Sequence, residues 1–153
     1  MNVAQLFFSF TGRINRAKYW AAIVVFIIIA MISFAVAYIG EETPALHVLG
    51  FIIDVALLIA GLAVGAKRLH DRDKSAWWLL VFYILPSVLI IIGSLMFFYG
   101  IGAESAGGVI GSVVFYALGL GVLIWAIVEL GFLPGTAGPN RFGPDPLVAL
   151  ATA

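Results

Sequence analysis

Three groups of ionisable residues in this 153-residue chain could do chemistry: Arg13 with Arg16, the run Lys67-Arg68-Leu69-His70-Asp71-Arg72, and Asn140-Arg141 followed by Asp145. A fourth residue, Asp54, stands alone inside an apolar run. His70 beside Asp71 suggests an imidazole held by a carboxylate. Neighbours on a helix point about 100° apart, however, so Asp71 does not orient His70 as a triad carboxylate would. The nearest hydroxyl, Ser75, carries no nucleophile-elbow pattern. There is no cysteine, and the one other histidine, His47, lies at the opposite end of the second apolar run, across the membrane, so a metal site would rest on His70 and aspartates alone. The expectation is no enzyme, no metal and no cofactor. What remains is the chemistry of arginines, which pair with carboxylates and hold phosphate groups.

The elements that must position these residues follow from composition. With 63% apolar and 10% charged residues, the chain cannot present a water-soluble surface on all sides, so the bilayer must be its solvent. Four apolar runs, about residues 20–39, 46–66, 77–99 and 109–130, each reach the roughly 20 residues that span a bilayer. The links at 40–45 and 100–108 are short, which makes two antiparallel helical hairpins of an all-α, four-span membrane bundle occupying residues 1–146. Residues 147–153 form a C-terminal tail.

All eight Lys and Arg residues fall before the first run, between the second and third, or after the fourth. Loops rich in Lys and Arg stay on the cytoplasmic side, so this partition puts both termini inside. The outer turns carry Glu41, Glu42 and Glu104. Zero net charge gives no reason to expect nucleic acid as a partner, whereas one-sided basic clusters suit anionic headgroups.

Val3, Leu6, Phe7 and Phe10 recur at helical spacing ahead of the first span and read as a short interfacial helix that Gly12 would end. Asn15 is placed to cap the first span. Gly61 with Gly65 on the second span, and Gly107, Gly111, Gly119 and Gly121 on the fourth, are the small residues at which helices should pack. Asp54 lies eight residues into the second span, about 12 Å deep, where an ionised carboxylate is costly. A hydrogen bond to Ser33, Ser94 or Tyr116, which lie at similar depth, is the expected arrangement, and a proton or ion relay is the functional alternative. Glu129 reaches the inner surface, where it should join the polar end. Between Pro134 and Pro146, four prolines interleaved with glycines exclude a fifth helix.

Three stretches carry a resemblance: Gly12-Arg13-Ile14-Asn15-Arg16-Ala17-Lys18-Tyr19-Trp20; Lys67-Arg68-Leu69-His70-Asp71 leading to Ser75-Ala76-Trp77-Trp78; and Gly138-Pro139-Asn140-Arg141-Phe142-Gly143-Pro144-Asp145-Pro146. Together they resemble the hallmark stretches of the bacterial inner-membrane family catalogued as domain of unknown function number 805. Asp73 and Ala76 stand where that family often has glycine, and Lys18 where an acidic residue is frequent. The resemblance implies an integral membrane protein of the bacterial inner membrane and implies no reaction.

All three stretches belong on one side of the membrane. Arg13, Arg16, Arg68, His70, Asp71, Arg72, Asn140, Arg141 and Asp145 are therefore expected to converge in one polar cap. Arg13 or Arg16 would pair with Asp71 or Asp145, Arg141 would pair with Asp71, and Phe142 would be buried against the end of the bundle or the membrane interface. The function expected is a binding or scaffold component whose cap meets an anionic lipid headgroup, a larger membrane complex or a second copy of the chain. A small transporter or channel subunit using Asp54 is the alternative.

Overall fold

The computed structural model describes residues 2–40 and 43–148. Its described residues are helical, with no strand, and divide into two compact units: the part up to Ala76 together with everything from Pro134 onward, and Trp77–Leu133. Four helices are long and apolar enough to cross a membrane.

The first unit begins with α1 (Val3–Phe8), opened by a reciprocal cap in which the Asn2 side chain accepts from Gln5 N and the Gln5 side chain accepts from Asn2 N. It ends at Ser9, before Gly12. The spanning hairpin is α2 (Arg16–Ile39) and α3 (Pro44–Asp71). Asn15 caps α2 through Lys18 N at 2.9 Å, as its position in the sequence predicts. A Cβ on Gly40 would strike Leu46, so the tight exit from α2 needs glycine there. Glu41 and Glu42, expected on this turn, lie outside the described residues.

Burial divides α3 in two. Ala60 and residues 63 to 71 are buried, whereas most of the half nearer Pro44 is exposed and apolar, as a surface facing lipid must be. Every Lys and Arg of the chain lies at the buried end of this hairpin or in the tail that docks there.

The second unit pairs α4 (Leu80–Gly102) with α5 (Ala106–Phe132). The first turn of α4, Leu80–Ile84, is π-wound, and so is the last of α5, Val128–Phe132. Pro86 accounts for the first: its ring opposes the carbonyl four residues back, and the wider turn relieves that clash. The turn between α4 and α5 shrinks to residues 103–105. The closest crossing is at Gly100 and Gly108, where an added Cβ on Gly108 would lie 2.7 Å from the Gly100 Cα. Gly111 and Gly119 also pack on α4, but Gly107, Gly121 and, on α3, Gly61 meet no neighbouring helix. Spacing alone could not say which face of each helix turns inward. Glu129 is buried within the closing π turn of this unit.

Candidate functional site

The helix α3 continues past its apolar run, and its charged last turn is buried: Lys67, Arg68 and Leu69 are fully enclosed and Asp71 nearly so. Charges buried together persist only when they are paired and hydrogen-bonded. Asp71 is their centre. Its Oδ1 accepts from Arg13 Nε at 3.1 Å and lies 3.1 Å from Arg13 Nη2, while Oδ2 accepts from Arg68 Nη1 at 2.5 Å. Arg13 gives its other donors to the tail: Nη2 to the Thr136 carbonyl at 2.6 Å, and Nη1 to the carbonyls of Gly138 at 2.7 Å and Gly143 at 3.3 Å. One guanidinium thus joins the segment before α2, the end of α3 and the tail. Arg16 and Arg72 are near enough to Arg68 for both to act on its charge.

The tail is held mainly through backbone. The Asp71 carbonyl accepts from Thr136 N at 2.8 Å and from Thr136 Oγ1 at 3.1 Å. Gly135 passes so close to Asp71 that an added Cβ would land on the carboxylate. Asn140 donates through Nδ2 to the His70 carbonyl and to Thr136 Oγ1, each at 2.9 Å, and its Oδ1 accepts from Phe142 N at 2.9 Å. A pair of 3.1 Å backbone bonds between Asn140 and Gly143 closes the turn. The half-buried Phe142 stacks on the imidazole of His70. That ring's Nδ1 lies 3.3 Å from the Gly12 carbonyl, which can only accept, so Nδ1 carries the proton. His70 and Asp71 serve different partners on different faces of α3.

The cap expected from the sequence is present, with two pairings changed. Asp145 does not meet an arginine at bonding distance. Its Oδ1 accepts from Leu147 N at 2.9 Å and its Oδ2 from Gly138 N at 3.0 Å, and these bonds, Leu147's first, hold its carboxyl below the usual range. Arg141 does not reach Asp71, whose oxygens are already taken by Arg13 and Arg68. It lies instead on the surface, with Nε 3.1 Å from Asp73 Oδ1, Nη2 donating to the Asp73 carbonyl at 2.8 Å, and its guanidinium 4.7 Å from the Phe142 ring centre. Asp73 has a left-handed backbone, φ 56°, which is the physical reason a glycine suits that position. Arg72 donates through Nη1 to the Pro134 carbonyl at 2.7 Å.

The residue that sequence reasoning missed is Lys67, read there only as an orienting charge. Its Nζ donates to the carbonyls of Gln5 at 2.8 Å, Leu6 at 2.5 Å and Ser9 at 2.6 Å. Three ammonium hydrogens thereby satisfy carbonyls at the end of α1 that no further helical turn could reach. The signal available was that α1 is too short to stand alone and has no basic residue in its last turn.

Beside Asp71 the cap encloses a cavity of about 360 Å³, lined among others by Asn15, Arg16, Gly135, Thr136, Asp145 and Leu147. Arg16, unlike Arg13, is exposed. Far along the hairpin, Asp54 Oδ1 accepts from Ser33 Oγ at 3.1 Å, the first of the three partners the depth count offers. Ser94 and Tyr116 bond one another instead, at 3.2 Å within the second unit. Asp54 and Ser33 share a groove of about 320 Å³ with His47, Gly50 and Ala37.

The family model described as "Protein of unknown function (DUF805)" matches residues 7–144. The chain is 28% identical to the uncharacterized protein YiiR of Escherichia coli K12 over 145 residues, 95% of this chain and 90% of the relative. It is likewise 28% identical to the inner membrane protein YhaH over 148 residues, and to the inner membrane protein YhaI over 147, both of that strain, with 95% of this chain and 93% and 92% of those relatives covered. No solved structure matches it.

Proposed function

We propose that this chain, which belongs to the DUF805 family, is a binding protein whose cap receives a phosphate-bearing headgroup, and that it performs no catalysis. Its relatives and its four apolar helices make it a multi-pass protein of the inner membrane. The observation that carries the binding reading is the cavity beside a locked cap: Arg13 and Arg68 build the platform, and the exposed Arg16 lines the space next to it together with Asn15 and Thr136. Residues needed only to orient a protein have no need of so many fixed bonds. With the basic clusters at the inner leaflet, both termini lie on the cytoplasmic side, and the cavity sits where phosphates are.

The test is binding of short-chain phosphatidylglycerol and of diacylglycerol to the full chain in mild detergent. The phosphate-bearing lipid should bind, and Arg16→Ala should weaken it by about tenfold, as loss of a charged hydrogen bond implies. Equal binding of diacylglycerol would overturn the reading.

The Asp54 and Ser33 groove favours a second reading, a subunit of a small transporter. Residues 55 to 66 of α3 contain no polar side chain, so that helix offers no path from Asp54 toward Lys67. Proton or ion flux abolished by Asp54→Asn would nevertheless establish it.

A further inference from the structure

A side chain in the cap cavity lacks an acceptor. Asn15 is 9% exposed, and its Oδ1 is identified as the oxygen because Lys18 N donates to it at 2.9 Å. Its Nδ2 therefore carries two N–H donors, and no partner for them exists among the described residues. No fully enclosed side-chain nitrogen or oxygen among those residues goes without a bond. The Asn15 amide accordingly opens onto the space that the residue lines. Arg16 lies next to it, at the positive end of the 24-residue α2, where the first backbone N–H groups have no helical acceptor. An anionic oxygen would satisfy the Asn15 amide and the first N–H groups of α2, with the Arg16 charge beside them.

The same cavity is lined by the carboxylate of Asp145. Each Asp145 oxygen accepts a single backbone N–H, and a carboxylate has about four lone-pair directions, so it keeps capacity for a cation. It also opposes a second negative charge on any ligand. A phosphodiester suits this site better than a dianionic phosphomonoester, and one that carries its own ammonium suits it best. Leu147, 62% exposed, gives the rim an apolar edge, and Trp20, one turn beyond Arg16, marks the headgroup level.

We infer that the cavity takes phosphoethanolamine, a phosphodiester with a primary ammonium, its phosphate oxygens on Asn15 Nδ2 and Arg16 and its ammonium at Asp145. The inference rests on the headgroup-binding reading above and adds the second charge. The ligand is either a membrane phospholipid or a soluble diester with the same head.

The full chain in mild detergent is titrated with short-chain phosphatidylethanolamine, its N-acetylated form, short-chain phosphatidylglycerol and glycerophosphoethanolamine. Phosphatidylethanolamine should bind about tenfold more tightly than the N-acetyl form or phosphatidylglycerol, the size of one charge-assisted contact. Asp145→Asn should erase that preference. Asn15→Asp keeps an oxygen to cap α2 but replaces the donor with a negative acceptor, so it should abolish binding of every phosphate ligand while helix content is unchanged. Binding of glycerophosphoethanolamine as tight as that of the lipid assigns the site to a soluble ligand, and much weaker binding assigns it to the membrane. If phosphatidylglycerol binds as well as phosphatidylethanolamine in the unmodified chain, the ammonium half is wrong and the headgroup reading stands. Undiminished binding by Asn15→Asp would overturn the site itself, and failure of every phosphate ligand would remove both proposals.

Discussion

Phe142 lies flat on His70, with ring centres 3.9 Å apart and planes 6° from parallel. The stack joins residues 72 positions apart and clamps the tip of a Pro- and Gly-rich tail onto the last turn of α3. Phe142→Ala should loosen the tail without unfolding the hairpin, at a cost of about 0.5 to 1.5 kcal/mol beyond the lost buried area. Amide exchange across residues 136–146 should rise while that of α3 stays constant. Equal exchange in the two proteins would show that the backbone bonds suffice.

Asp71 and Arg141 should respond very differently to mutation. Asp71→Asn strands Arg13 and Arg68 in a buried site and should destabilise by about 3 to 5 kcal/mol. Arg141→Ala removes an exposed pair whose side chains are 61% and 48% accessible, and should cost less than about 1 kcal/mol. Thermal unfolding in detergent checks both, and similar losses would contradict the division between platform and surface.

Lys67→Met keeps the length of the side chain and removes its three donors. The prediction is release of α1 with the spanning hairpin intact, because the carbonyls of Gln5, Leu6 and Ser9 lose their common partner. Proteolysis near Ser9 should accelerate in the variant, and unchanged cleavage would mean that apolar contacts such as Phe7 on Phe26 hold α1 alone.

Asp145 supplies a pH dependence. Its folded carboxyl titrates below the ordinary value of 3.8 because the Leu147 and Gly138 N–H groups bond its ionised form. A depressed acid stabilises the folded form fully above the unfolded value and loses that contribution as pH falls through the folded one. Protection of the tail should therefore be constant from about pH 7 to 5 and fall below about pH 4. Asp145→Asn should remove this step, and a step that persists in the variant would belong to another group.

Sidedness can be tested with cysteines, since the chain has none. A cysteine at Glu104 should react with an impermeant reagent applied from outside, whereas cysteines at Lys74 and Thr136 should not. Outside labelling at Lys74 would invert the topology and detach the cap from the inner leaflet.

The spans were legible because lipid demands long apolar runs, and the convergence of the three motifs was legible because basic residues occur at only one end of each hairpin segment. The partners within the cap were not. Asp71, Asp73 and Asp145 are the same chemistry in a sequence, and only the direction each takes from its helix or turn decides that Arg13 reaches the first and Arg141 the second. Lys67 escaped notice for a related reason: its acceptors are backbone carbonyls, which every residue possesses, so no spacing of side chains announces them. Gly100 and Gly108 were hidden by reading as turn a segment that continues both helices.

The bonds of Arg13 also impose an order in time. Three of its acceptors are carbonyls of Thr136, Gly138 and Gly143, which leave the ribosome some 120 residues after Arg13 itself. Until then the first hairpin must sit in the bilayer with its central guanidinium only half engaged. A chain that stops short of Gly143 is thus marked near its beginning as unfinished, and the cap closes only once that stretch of tail has been made.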